Sequence, residues 1–250
     1  MSGHSKWSTI KRKKGAEDAK RGKIFTKLAK GIVLAARDGG GDPNFNPALR
    51  LAVDKAKAAN MPKDNIERAI KKATGELDGG TIEEITYEGY APHGIAMLIQ
   101  CTTDNRNRTL SEVRRVFNKQ GGNLAEQGAV GWMFDKKGYI TLESTSMDSD
   151  DIFMVAVDAG ADDVEIEEEE VEVFTPPTEL HAVMKALEDE GAKVSEATLA
   201  QFAQNEIEIG VKETLSIMTL VDLLEDLDDV DKVYSNLKIS DEALASLESA

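Results

Sequence analysis

The chain has 250 residues with 46 acidic and 30 basic side chains, a formal charge of −16, and 41% apolar but only 5% aromatic residues. That is enough length and apolar content for one large or two to three smaller cores, and it excludes disorder for most of the chain. Apolar runs such as 217–221 are far shorter than the roughly 18 residues of a bilayer span, and MSGHSKWSTIKRKK lacks the apolar stretch of a secretory signal. The single cysteine, Cys101, supports neither a disulfide nor a thiolate metal cluster. A cytoplasmic protein without a membrane partner is therefore expected.

From Ala16 to Arg37, Ile24, Leu28, Ile32 and Ala35 recur at three- and four-residue spacing, while Lys20, Arg21, Lys23, Lys27 and Lys30 fall largely on the remaining arc. The pattern predicts an amphipathic helix with a basic outer face. GGGDPNFNP at 39–47 breaks it, with Asn46 as a cap and Pro47 at the first position of a second helix reaching about Asn60. Met61-Pro62 interrupts again, and a third helix carries Ile66, Ala69, Ile70 and Ala73 before Gly75. Three short helices of this kind form a compact bundle.

Past Thr81 the period changes to two. Residues 82–90 and 95–101 have strand composition and flank the turn-prone Ala91-Pro92-His93-Gly94, which predicts a hairpin. TDNRNRT at 103–109 supplies caps for a helix with Leu110, Val113 and Phe117 on one face, closed by Gly121-Gly122. Strands near 129–135 and 139–143 are expected to flank a hairpin turn at Asp135-Lys136-Lys137-Gly138. From Gly138 to about Gln204 the order strand, helix, strand, strand, helix, strand is that of a ferredoxin-like unit, with helices near 149–160 and 178–190. A last helix, 213–228, and strand, 231–237, are left to return to the middle segment.

The expected fold class is therefore α+β in three domains. A basic arm plus helical domain covers 1–76, a discontinuous middle domain covers 77–137 and 205–250, and an inserted acidic ferredoxin-like domain covers 138–204.

Charge divides the same way. Residues 1–76 hold 18 lysines and arginines against 8 acidic residues, a net +10, whereas 77–250 carry a net −26. Such segregation points to a polyanionic partner for the basic end, from which the acidic remainder is repelled. Lys6 and Trp7, followed by Lys11, Arg12, Lys13 and Lys14, combine an aromatic ring with a dense cationic run. The ring can stack on an exposed base while the cations meet phosphates, or it can pin the arm to the bundle. Arg106 and Arg108, with Arg114 and Arg115 after them, form a second basic group, for phosphate contact or for intramolecular pairing with Asp104 and Glu112.

Chemistry beyond binding has little support. His4, His93 and His181 have no paired spacing for zinc, no phosphate-cradling glycine loop or nucleophile elbow is present, and the acidic run 162–172 reads as a solvated surface. Neither an enzyme nor a cofactor, a metal or a small-molecule substrate is expected. Cys101 reads as a small core residue.

GHSKWSTIKRKK at 3–14, DPNFNPALRLAVDKAKAANMPKDNIERAIKKATG at 42–75 and YEGYAPHGIAMLIQCTTDNRNRTLSEVRRVF at 87–117 resemble the YebC/PmpR family, which includes the mitochondrial translational activator of cytochrome c oxidase. The likeness is strongest over the first 135 or so residues. It implies the same three-domain α+β architecture. For function it implies a DNA-binding transcriptional regulator or, in other branches, a ribosome-associated factor that helps translation through difficult sequences such as proline runs. DNA or rRNA is thus the expected partner, of a chain read as a monomer. The residues expected to meet it are Lys6, Trp7, Lys11, Arg12, Lys13, Lys14, Lys20, Arg21, Lys23, Lys27, Lys30, Arg106 and Arg108.

Overall fold

The structure is a computed structural model that describes residues 17–77, 82–143, 147–166 and 171–248, without the side chains of 17–21 and 247–248. The described residues fall into two compact units, one formed by 132–207 and the other by the remainder.

The larger unit begins with three helices, α1 (Glu17–Gly39), α2 (Pro47–Ala58) and α3 (Lys63–Ala73). Asn46 caps α2, its side chain accepting from Leu49 N at 3.0 Å. Ile32, Val33 and Ala36 of α1 bury against Leu49, Val53 and Ala56 of α2 and Ile66 and Ala69 of α3. Ile24, expected in this core, is 45% exposed, and Phe25 packs there instead. The other three residues of the counted spacing, Leu28, Ile32 and Ala35, do lie in this cluster, so only its amino-terminal end departs from the sequence reading.

A four-stranded antiparallel sheet follows, in the order β3-β1-β2-β8: β1 is Glu83–Tyr90, β2 Ala96–Thr103, β3 Asn123–Ala125 and β8 Val230–Ser235. The last strand comes from the carboxy-terminal segment and pairs with β2, Ile99 opposite Val233. Between them in sequence lie α4 (Arg106–Lys119) and, after the second unit, α7 (Val211–Glu225), with α8 (Asp241–Glu248) at the end. Val113 and Phe117 of α4 and Ile217, Met218, Val221 and Leu224 of α7 share one core with Ile95, Met97, Ile99 and Cys101. Gly121, at φ +78°, takes the left-handed conformation that ends α4. Neither β3 nor α8 was apparent from the sequence pattern.

Glu88 anchors the loop after β3. Its carboxylate, 7% exposed, accepts from the backbone amides of Gly128 (2.7 Å), Val130 (2.7 Å) and Gly131 (2.8 Å). Burial pushes its pKa up, but the three amides outweigh that and hold the carboxyl below the usual range. This held loop and a short 3-10 turn at Gly131–Met133 occupy the place where a strand near 129–135 was expected.

In the second unit β4 (Phe134–Leu142), β5 (Asp163–Ile166), β6 (Val171–Thr175) and β7 (Val194–Ala203) form an antiparallel sheet in the order β5-β6-β4-β7. Helices α5 (Ser149–Asp158) and α6 (Leu180–Asp189) bury Ile152, Ala156, Val183 and Leu187 against Ile140, Leu142 and Val173. This strand order is the ferredoxin-like one. The expected hairpin at 135–138 does not form, because Asp135 to Gly138 run inside β4 and pair with Leu199 to Phe202. Gly138 is there for room: a Cβ on it would meet Leu180 Cβ at 2.9 Å and collide with Thr175 Oγ1. Glycine beside Asp and Lys signals a turn in sequence, but here it marks close packing.

Candidate nucleic-acid interface

Lys6, Trp7, Lys11, Arg12, Lys13 and Lys14 lie outside the described residues, as do the side chains of Lys20 and Arg21, whose backbone belongs to α1. Of the remaining predicted contacts, Lys23, Lys27, Lys30 and Arg108 converge on the end of α7 and the turn that leads into β8, whereas Arg106 pairs elsewhere, with Glu83 of β1.

Lys23, Lys27 and Lys30 recur at four and three residues and so form a stripe along α1. Lys23 Nζ donates to Asp226 O at 2.8 Å and Lys27 Nζ to Glu225 O at 2.9 Å. Lys30 Nζ donates to Thr102 O and Asp228 O, both at 2.9 Å, and pairs with Asp229. Glu225 O and Asp226 O sit at the carboxy-terminal end of α7, where unsatisfied carbonyls give the helix its negative pole, so three ammonium groups meet both hydrogen-bond acceptors and a favourable field. The stripe expected as a basic outer face is therefore directed inward for Lys30, whose side chain is only 13% exposed, and in part for Lys27.

Asp229 is the centre of this junction. Its carboxylate, 3% exposed, accepts from Lys30, from Arg108 Nη2 at 2.7 Å and Nε at 3.2 Å, from Thr109 Oγ1 at 2.7 Å and from Thr103 Oγ1 at 3.1 Å. Burial alone would raise its pKa; hydrogen bonds from Lys30, Arg108 and Thr109 overcome this and bring it down to about 2. Asp231, two residues on, accepts from Thr102 Oγ1 at 2.6 Å, and there burial wins and the pKa goes up. A cleft of about 530 Å³ opens beside the junction, lined by Lys23, Thr26, Asp104, Arg108, Glu112 and Asp228 among others. Its lining mixes both signs, which suits internal pairing more than a phosphate chain.

Of the second basic group, Arg108 pairs with Asp104 at 2.9 Å as well as with Asp229, and Arg106 with Glu83 at 3.1 Å rather than with Glu112. Arg114 and Arg115 are exposed on α4. Asp226, Asp228 and Asp229 went unnoticed in sequence because LEDLDDVD resembles any solvated acidic run. The usable signal was the stripe of lysines on α1, which asked for a counterpart. Cys101 is buried in the core, where burial first, then Asp231 and Asp229, push its thiol up to about 12, far from nucleophilic use. Among the described residues no cluster of His, Cys, Asp and Glu is arranged to hold a metal ion, and no helix is long and apolar enough to cross a membrane.

An α+β chain with an amino-terminal helical region, a sheet completed by its carboxy-terminal segment and an inserted ferredoxin-like unit defines the class. Residues 5–76 match the family described as TACO1/YebC protein N-terminal domain, and residues 82–237 match TACO1/YebC second and third domain. The chain belongs to the TACO1/YebC family. A probable transcriptional regulatory protein of Geobacter sulfurreducens is 57% identical over 247 residues, covering 99% of this chain and all of that one. One of Trichlorobacter lovleyi is 56% identical, covering 96% of this chain and 97% of that one. The crystal structure of a conserved hypothetical protein from Aquifex aeolicus superposes with a TM-score of 0.80 at 45% identity, over 90% of this chain and 93% of that one. These relatives' names support a regulatory role in general.

Proposed function

We propose that this protein is a cytoplasmic nucleic-acid-binding regulator of gene expression, a DNA-binding transcriptional regulator that contacts phosphates through its basic amino-terminal segment. The observation that carries this reading is the division of charge, +10 over residues 1–76 against −26 over the rest. Phosphate neutralisation by Lys and Arg supplies most of sequence-independent affinity, and it needs cations that are not already paired. With Lys23, Lys27, Lys30 and Arg108 bonded within the fold, that work falls chiefly to Lys6, Lys11, Arg12, Lys13, Lys14, Lys20 and Arg21, with Trp7 as the stacking ring. Arg106, exposed and paired only with the part-exposed Glu83 among the described carboxylates, can exchange a weak partner for a phosphate.

One observation favours a second reading, an RNA or ribosome-associated role in translation. The lysine stripe of α1 is directed at the end of α7, so α1 does not offer it to the groove of a duplex, whereas an aromatic beside lysines suits unpaired bases. Sedimentation of the full chain through sucrose at low and moderate salt, with ribosomes and with or without nuclease, separates the two. Retention of a promoter fragment without ribosome co-migration supports transcription; nuclease-sensitive co-migration supports translation; neither would overturn the nucleic-acid role.

A further inference from the structure

Between α1 and α2 the chain makes a turn whose side chains are committed to holding its backbone. Asp42 O accepts from the amides of Phe45 (3.1 Å) and Asn46 (3.0 Å), and Asp42 Oδ1 accepts from Asn44 N at 2.9 Å. The Asn46 side chain, 4% exposed, donates to Ala35 O at 2.7 Å and Gly40 O at 2.8 Å while it caps α2. Arg50 reaches back from α2, its Nε donating to Pro43 O at 3.0 Å and its Nη2 to Asn44 O at 2.9 Å. At the tip of this braced turn stands Phe45, 86% exposed, more than any other large apolar side chain described. A ring left almost wholly in water does nothing for the core, and burying it would contribute about 2 kcal/mol. Fixing the turn with three separate side chains keeps the ring in one place, which lowers the entropy lost when a ligand settles on it.

We propose that Phe45 is a stacking platform for an unpaired nucleobase, with the exposed Arg50, whose guanidinium is bonded to the carbonyls of Pro43 and Asn44 in the same turn, for the adjoining phosphate. The proposal rests on the nucleic-acid reading above and adds a second contact, separate from the amino-terminal arm. Charge selects this occupant over an apolar protein surface: the turn that carries the ring is flanked in sequence by Asn44 and Asn46 and bonded by Arg50, Arg50 has no carboxylate partner among the described residues, and residues 1–76 carry net positive charge. A planar aromatic group and a guanidinium held on one turn match a base and its phosphate, and stacking tolerates any base. A paired duplex has no free base face, so the ligand is a single strand or loop, whether RNA or melted DNA.

The test uses fluorescence anisotropy of the full chain with labelled oligo(rU), oligo(dT) and a blunt RNA duplex, comparing Phe45→Ala, Phe45→Trp and the triple variant Lys11→Glu, Lys13→Glu, Lys14→Glu. Phe45→Ala should weaken single-strand binding about 5- to 150-fold, the range for one base on one ring, without changing the salt slope or duplex binding. Phe45→Trp should stay within about twofold of the parent, since a larger ring still stacks. Loss with oligo(rU) alone assigns the base to RNA, and loss with both assigns it to any single strand. Wild-type affinity in Phe45→Ala, or equal weakening on duplex and single strand, would overturn the platform while the arm variant's loss leaves the nucleic-acid role intact. Failure of the wild-type chain to bind any of the three probes or a blunt DNA duplex would overturn that role itself.

Discussion

Asp229 shows how one carboxylate can organise a junction. Four side chains donate to it, from α1, β2 and α4, so its charge is compensated although it is only 3% exposed. Asp229→Asn keeps the shape but leaves Lys30 buried without a counter-charge, and stability should fall by about 3 kcal/mol, at the lower end for breaking a buried pair because Arg108 is partly solvated. Urea unfolding measures this. The pH dependence has a definite sign: a carboxyl whose pKa falls from 3.8 to about 2 on folding contributes stability above pH 3.8, and the contribution is lost as pH drops through about 2. The gap between parent and Asp229→Asn should therefore narrow from pH 5 to pH 2. Asp231 shifts the opposite way but is present in both proteins, so it cancels from the difference. A gap independent of pH would contradict a contribution from the ionised Asp229 carboxylate.

At the scale of elements, α1 has two faces with different tasks. Its apolar stripe closes the helical core with α2 and α3, and its lysine stripe satisfies the end of α7. The first was legible from periodicity, although Ile24 was placed inside and proves half-exposed. The second was not, because spacing shows that lysines share a face but not what the face meets 200 residues away. The same limit explains Asp229 in the candidate site, whereas the alternation of strands and helices in 138–204 needed only local pattern. Gly138 is the opposite failure, a residue that reads locally as a turn and acts through tertiary packing. Gly138→Ala should lower the melting temperature by the equivalent of about 1–3 kcal/mol, the cost of forcing a methyl into filled space against Thr175 and Leu180, and should leave nucleic-acid affinity unchanged. An unaltered melt would show that β6 and α6 can move aside.

For the whole molecule, the structure narrows the contribution of charge. The net −16 conceals a basic end, and within that end several cations already hold the fold together. On the proposed reading, what remains for a polyanion is the segment before residue 22 and the exposed cations of the helical region, while the acidic remainder would repel phosphate. The most direct test is the slope of log affinity against log salt for the full chain and for Lys11→Glu, Lys13→Glu, Lys14→Glu. Each phosphate contact contributes about 0.9 to the slope on duplex and about 0.7 on a single strand. Three lost contacts should therefore flatten it by about 2 to 3 and weaken binding at every salt concentration; an unchanged slope and affinity would contradict the assignment of phosphate contact to the amino-terminal segment.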